Sequence, residues 1–181
     1  MHKRMWDVVL VPGAFSVKEC QDILDRMAPE ELEPAAVENV AAESPHRKSS
    51  VRFVEYDPDV WVFQRLSKIA NTVNPQTFRF SLNAWFDEGF QFTRYVEGGY
   101  YSWHSDIGSG PTETRKLSMV VQLDDEYEGG ELDFFPARFG VPRQRGLAVL
   151  FPAYMPHCVK PVTKGVRHTL VTWVHGPAPF A

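Results

Sequence analysis

The sequence predicts a mainly β domain braced by N-terminal α-helices. Three observations carry this. Apolar residues recur at helical spacing only before residue 77, the period changes to two from Phe78 onward, and turn signals then return every ten or so residues, as an all-β sandwich or barrel requires. The 181 residues suffice for one domain with a substantial core, taken as a single unit over 1–181: a supporting region, 1–77, and a β core, 78–176.

Val8 to Val11 form a short apolar run closed by Pro12-Gly13, a strand ended by a turn. Ser16 and Glu19 have the spacing of a capping box, and Cys20, Ile23, Leu24 and Met27 follow at helical intervals until Pro29, which predicts an amphipathic helix over 17–28. Residues 30–50 are rich in Glu, Ala, Pro and Ser without sustained periodicity and read as an irregular or mobile connection, a possible lid. A second helix is expected from an Asp57 cap and Pro58 at its first position. Val62, Leu66, Ile69 and Val73 share one of its faces, and Asn74-Pro75 ends it. The predicted strands are 78–86, 90–96, 100–106, 117–123, 131–135, 147–151, 157–162 and 168–175.

A formal charge of −4 and a pI near 5.9 give no basic footprint for nucleic acid or an anionic membrane surface. No apolar stretch is long enough to span a bilayer, and the basic start lacks the apolar run of a signal peptide. Cys20 and Cys158 are the only cysteines, too few for a disulfide framework, so a cytoplasmic location is expected.

Chemistry enters at His104-Ser105-Asp106. Residues two apart on a strand face the same way, so Tyr100, Ser102, His104 and Asp106 are expected on one face, and a His-x-Asp pair can chelate one ion. His157, from another strand, would complete two imidazoles and one carboxylate, the facial set that suits a non-haem Fe(II) oxygenase. Three coordination sites then remain, two for a chelating 2-oxo acid and one for dioxygen. Arg167, ten residues on, offers a fork that grips a carboxylate through two parallel hydrogen bonds. On the last strand Arg167, Thr169, Val171, Trp173 and His175 share a face, so Thr169 can assist Arg167, and Tyr95 is a candidate phenol donor to the same cosubstrate.

Other residues are given plainer roles. His2 and His46 read as structural, His168 and His175 as surface or packing residues, and Cys158 as a small buried hydrophobe. Trp85, Trp103 and Trp173 read as core or rim aromatics, and the run Asp124-Asp125-Glu126-Tyr127-Glu128 as a solvated turn.

The stretch from Arg94 to Asp106 resembles the first metal motif of prolyl 4-hydroxylase-like 2-oxoglutarate and Fe(II)-dependent dioxygenases. Arg115 to Leu123, Tyr127 to Leu132, Gly146 to Pro152 and His157 to Arg167 are similar to that family's successive core strands, over roughly residues 90–176. The resemblance implies a double-stranded β-helix, a cupin-like jelly-roll of two facing sheets with helices on the larger one. It implies iron held by His104, Asp106 and His157, a 2-oxoglutarate carboxylate at Arg167, and assistance from Tyr95. The cofactors expected are Fe(II), 2-oxoglutarate as cosubstrate and O2, with ascorbate beside them. Animal collagen-type members usually carry Lys at the place of Arg167, so the match is closer to bacterial members with Arg.

The function expected is hydroxylation of a C–H bond, in a prolyl or other residue of a peptide or protein, with release of succinate and carbon dioxide. A free amino acid or small metabolite is the alternative substrate. A related nucleic-acid demethylase would need a second arginine where Trp173 stands, and a basic surface. A cupin-like metal-binding or sensor module fits the fold but has no use for Arg167. Zinc hydrolysis would need a general base that no spacing supplies.

Overall fold

The computed structural model describes residues 3–5, 7–27, 32–35, 45–57, 60–136 and 140–177, with 3–5 and 84–87 described as backbone only. The expected helix stop at Pro29, the first helical position at Pro58 and most of the 30–50 connection lie outside these residues.

In chain order the elements are β1 (Lys3–Met5), β2 (Val8–Val11), α1 (Val17–Met27), β3 (Glu33–Pro34), β4 (Arg47–Lys48), β5 (Ser50–Val54), α2 (Trp61–Val73), β6 (Ala84–Tyr95), β7 (Tyr100–His104), β8 (Arg115–Gln122), β9 (Glu128–Gly129), β10 (Leu132–Phe134), β11 (Ala148–Pro152), β12 (His157–Val159), β13 (Val162–Lys164) and β14 (Arg167–His175). Eight strands form the larger sheet in the order β1-β2-β11-β8-β14-β6-β5-β3, four form the smaller in the order β10-β12-β7-β4, and β13 and β9 make a separate pair. The two sheets meet face to face through Tyr95, Val120, Val149 and Phe151 of the larger and Leu132, Phe134 and Val159 of the smaller. This is a double-stranded β-helix, with α1 and α2 on the outer face of the larger sheet.

Period two decides which residues face which layer. On β8, Leu117, Met119 and Val121 pack toward the helices and Val120 toward the smaller sheet; on β14, Leu170 and Val174 pack toward the helices. The helices supply Cys20, Ile23 and Met27 from α1 and Val62, Phe63, Leu66, Ile69, Ala70 and Val73 from α2. Ser16 and Glu19 close the capping box at 2.7 and 3.2 Å, and Arg65 joins the helices through Glu19 at 2.7 Å.

Several expectations need correction. Described parts of the 30–50 connection are extended: β3 and β4 lie within it, and Ser50 begins β5, which pairs along β6. The second helix starts at Trp61, with Val60 as a cap that offers no side-chain bond. Residues 78–83 form no strand, because Asn74 ties the chain back through hydrogen bonds of 3.0 Å to both backbone groups of Phe80. Asp87-Glu88-Gly89 is no turn between two strands. It is a bulge within the single strand β6, where Trp85 and Phe90 pair with Val174 and Thr172, only two residues apart on β14. Asp124 and Tyr127 of the acidic run are buried; Asp124 accepts the His168 backbone N–H at 3.0 Å and lies 2.5 Å from its ring nitrogen.

Candidate active site

A cavity of about 410 Å³ lies between the two sheets. Five of the six residues singled out from the sequence line it, namely Tyr95, His104, Asp106, His157 and Arg167. Thr169 is buried on the same face of β14 but is not part of the lining.

β7 and β12 bring the two histidines together, since His104 and His157 are direct partners in their ladder. Asp106 follows the end of β7, where its backbone N–H donates to the Ala153 carbonyl at 2.8 Å. Its carboxylate oxygens lie 3.7 Å from His104 Nε2 and 3.7 Å from His157 Nε2, and one ligand atom from each residue falls within 4.8 Å of the others. Nδ1 of His104 donates to the Ser102 carbonyl at 2.8 Å, and Nδ1 of His157 to the Met155 carbonyl at 2.9 Å. Those bonds fix the tautomers, so each Nε2 presents its lone pair inward, the arrangement that metal-binding imidazoles use. Burial and the neighbouring His157 push His104 down to about 4, which keeps it neutral at physiological pH. Burial alone would raise Asp106, but His157, His104 and the Ser118 hydroxyl, which donates at 2.6 Å, hold it below the ordinary carboxylate range. Two imidazoles whose Nε2 atoms face inward and an ionised carboxylate fit Fe(II).

Arg167 is 2% exposed, and among the described residues no carboxylate lies within ion-pair distance of it. Its Nε has no hydrogen-bond partner. The guanidinium lies 5.3 Å from the centre of the Tyr95 ring, its partner across the β14–β6 ladder. Gly130 makes room for it, as a Cβ there would lie 3.1 Å from Arg167 Cδ. Burying a cation without a counterion costs several kcal/mol, so the fold carries this guanidinium at a standing cost that a bound anion would offset.

Several residues of the site went unread in the sequence. Tyr101, not Tyr100, shares the cavity with His104, its ring stacked at 3.5 Å on the imidazole. The cause is a register shift: His157 and Val159, two apart on β12, pair with His104 and Tyr101, three apart on β7, so the extra residue reverses the parity. The Tyr100 hydroxyl instead donates to the Pro45 carbonyl. The β6 bulge aims Glu88 into the cavity, where Arg115 donates to both carboxylate oxygens and His175 Nε2 lies 2.9 Å away. Arg115 also donates to the Asp106 carbonyl at 3.0 Å and covers the Trp173 ring at 3.8 Å. Trp173 is thus a buried wall of the cavity, and His175 a partner of Glu88. Trp103 is half exposed on the rim side. A polar Ser118 among the apolar residues of β8 was the one legible sign of this outer support.

Residues 90–175 match the model of the 2OG-Fe(II) oxygenase superfamily. This segment, a little under half of the chain, is similar to that superfamily. Among its relatives, a PKHD-type hydroxylase of Synechococcus sp. (strain CC9902) is 36% identical over 86 residues, 45% of this chain and 39% of the relative. Another PKHD-type hydroxylase, from Alteromonas mediterranea, is 38% identical over 94 residues, 46% of this chain and 41% of the relative. These matches thus span only about two-fifths of either relative. Solved structures share the fold over nearly the whole chain. A Pseudomonas putida prolyl-4-hydroxylase has a TM-score of 0.72 at 21% identity, covering 94% of this chain and 92% of that one. A Trichoplax adhaerens prolyl hydroxylase in complex with a hypoxia inducible factor peptide fragment has 0.75 at 15%, covering 93% and 83%. The oxygenase match begins at Phe90, so β1 to β5 and both helices lie outside it, although β1, β2, β3 and β5 extend the larger sheet, β4 extends the smaller one and the helices form the outer layer. No helix among the described residues is long and apolar enough to cross a membrane.

Proposed function

We propose that this protein is a 2-oxoglutarate- and Fe(II)-dependent dioxygenase that hydroxylates a C–H bond, in a prolyl or other residue of a peptide or protein, releasing succinate and carbon dioxide. One observation carries the reading: a buried guanidinium without a counterion shares a cavity with two tautomer-fixed imidazoles and a carboxylate. A store for a metal ion alone gains nothing from the first of these. The PKHD-type hydroxylase names of the relatives support hydroxylation, and the peptide fragment in complex with the Trichoplax neighbour supports a peptide substrate.

His104, Asp106 and His157 would hold the iron, which with 2-oxoglutarate supplies the oxidation of the C–H bond. Arg167 binds the distal carboxylate of the cosubstrate, with the Tyr95 phenol beside it. The carbonyl acceptors at Ser102 and Met155 hold the imidazole rings in orientation, and Ser118 holds Asp106. Val120, Leu132, Val159 and Val171 line the cavity with apolar surface that limits water at the reacting centre. We read the chain as one domain in which 1–77 supports the 78–176 core, in a cytoplasmic setting that agrees with two buried free thiols, and with ascorbate as an auxiliary.

The test is incubation with Fe(II), 2-oxoglutarate and air in the presence of a proline-containing peptide library and, separately, a metabolite extract. Succinate formation together with a mass gain of one oxygen on a peptide is the expected result. Oxygen gained only by a small metabolite would move the substrate to the free amino acid class. Absence of succinate under all conditions would leave a metal-binding module.

A further inference from the structure

Arg47 is a second guanidinium in the cavity wall without an acidic partner among the described residues. It is nine-tenths buried on β4, donates from Nε to Ser49 Oγ at 2.9 Å, and makes no ion pair with any described residue. Its Cζ lies 4.6 Å from the centre of the Tyr101 ring, which in turn stacks on His104. Arg47, Tyr101 and His104 therefore form one stack that runs from β4 to the candidate metal ligands.

Charge decides what this arginine is for. Loaded as proposed above, the site balances everywhere else: Fe(II) against doubly ionised 2-oxoglutarate, Asp106 against Arg167, and Glu88 against Arg115. Arg47 alone is left over, as a desolvated positive charge one aromatic ring away from a metal ligand. The Tyr101 face stabilises a cation but does not neutralise it, and Ser49 occupies only one of the five donors of the fork.

We propose that Arg47 receives a carboxylate of the substrate, so that the enzyme selects substrates carrying an anionic group next to the carbon that is oxidised. The inference rests on the dioxygenase reading and adds the substrate's charge to it. Two sources have the required chemistry, an Asp or Glu side chain beside the target residue of a peptide and the α-carboxylate of a free amino acid. Arg47 packs over the Tyr101 ring, outside the metal ligand set, which makes it a specificity residue.

The experiment uses the Mn(II)- and 2-oxoglutarate-loaded protein and follows quenching of its intrinsic tryptophan fluorescence, Trp173 being in the cavity wall. Two ligand pairs are titrated: Pro-Asp and Pro-Asn versions of one short peptide, and free proline against prolinamide. The expected result is that the carboxylate member of one pair binds about tenfold more tightly than its neutral partner. The peptide pair responding assigns the side-chain source, and the proline pair the free amino acid. Arg47→Gln should abolish the preference and Arg47→Lys should retain most of it, so a general loss of folding cannot imitate the result. Equal binding within both pairs, no binding of any of the four ligands, or a preference that survives in Arg47→Gln overturns the proposal. Substrate-free turnover of 2-oxoglutarate to succinate by the iron-loaded wild type separates the two failures: if it persists while charge preference is absent, only the assignment of Arg47 falls.

Discussion

Arg167 and Tyr95 face one another in register across β14 and β6, with the guanidinium carbon 5.3 Å from the ring centre and no carboxylate among the described residues to neutralise it. A buried cation that meets the Tyr95 face and the Tyr127 phenol, and no carboxylate among the described residues, is poised for an anion from outside the chain. Substituting Arg167 by Met keeps its length and removes its charge. Affinity for 2-oxoglutarate should fall roughly 10- to 100-fold, the worth of a charge-assisted pair of hydrogen bonds. The melting temperature of the ligand-free protein should hold or rise, since an uncompensated buried charge disappears. A 2-oxoglutarate titration and a thermal melt check both signs, and unchanged affinity would remove Arg167 from the cosubstrate site.

Ser118 is not itself a proposed metal ligand, yet its hydroxyl donates to Asp106 Oδ2 at 2.6 Å. Ser118→Ala should leave the fold intact and weaken metal binding by about 10- to 100-fold, as loss of a partner behind a coordinating group commonly does. Equilibrium dialysis with Mn(II) measures the effect. Affinity equal to that of the wild type would mean that the backbone turn after β7 alone orients the carboxylate.

How far the sequence discloses such a site depends on whether strand parity holds. On β14 it does: Arg167, Val171 and Trp173 all reach the cavity, as alternation predicts, and Leu170 and Val174 face the helices. On β7 the register shift between Tyr101 and His104 reverses it, and no residue type in Tyr-Tyr-Ser-Trp-His signals the extra residue. The Asp-Glu-Gly triplet at 87–89 carries the composition of a turn, but both turn and bulge need a residue with positive φ, so composition could not tell them apart. Arg47 lay in a segment without periodicity and reaches the site only through the pairing of β4 with β7, a contact between residues 54 apart that local pattern cannot anticipate. The capping box of α1, by contrast, is a local device and was fully readable.

Glu88 makes stability depend on acid in a predictable direction. Burial would raise its pKa, but Arg115 and His175 outweigh that and hold it at about 2, against an ordinary value of 4.5. A carboxylate depressed in the folded state contributes stability that is full above about pH 4.5 and lost as pH falls toward 2. Its upper bound is on the order of 3 kcal/mol. Glu88→Gln leaves Arg115 buried without its partner, so the variant should be less stable than wild type at pH 7, by about 3 kcal/mol. That gap should narrow on acidification through this window. Chemical denaturation at pH 7, 4.5 and 3 measures it, and a constant gap would mean that Glu88 does not hold its charge through Arg115.

The β6 bulge that presents Glu88 depends on Gly89. Its φ is +70°, and a Cβ there would lie 1.9 Å from the Val54 carbonyl oxygen on β5, a backbone atom that cannot step aside. Gly98 also has a positive φ, +74°, but its nearest neighbour would be the flexible end of Lys48 at 3.5 Å. The two positions therefore separate conformational strain from collision. Gly98→Ala should cost about 1–2 kcal/mol, the penalty of a left-handed backbone with a side chain. Gly89→Ala adds a clash between paired strands and should cost more than about 4 kcal/mol, in the range reserved for severe lesions. It should also weaken the Glu88–Arg115 pair, because relief of the clash requires β5 and β6 to part where the bulge is anchored by the Thr172 hydroxyl on the Gly89 carbonyl at 2.7 Å. Urea denaturation of the two variants tests the ranking. Equal losses would show that strain alone, without the approach of β5, explains the glycine at 89.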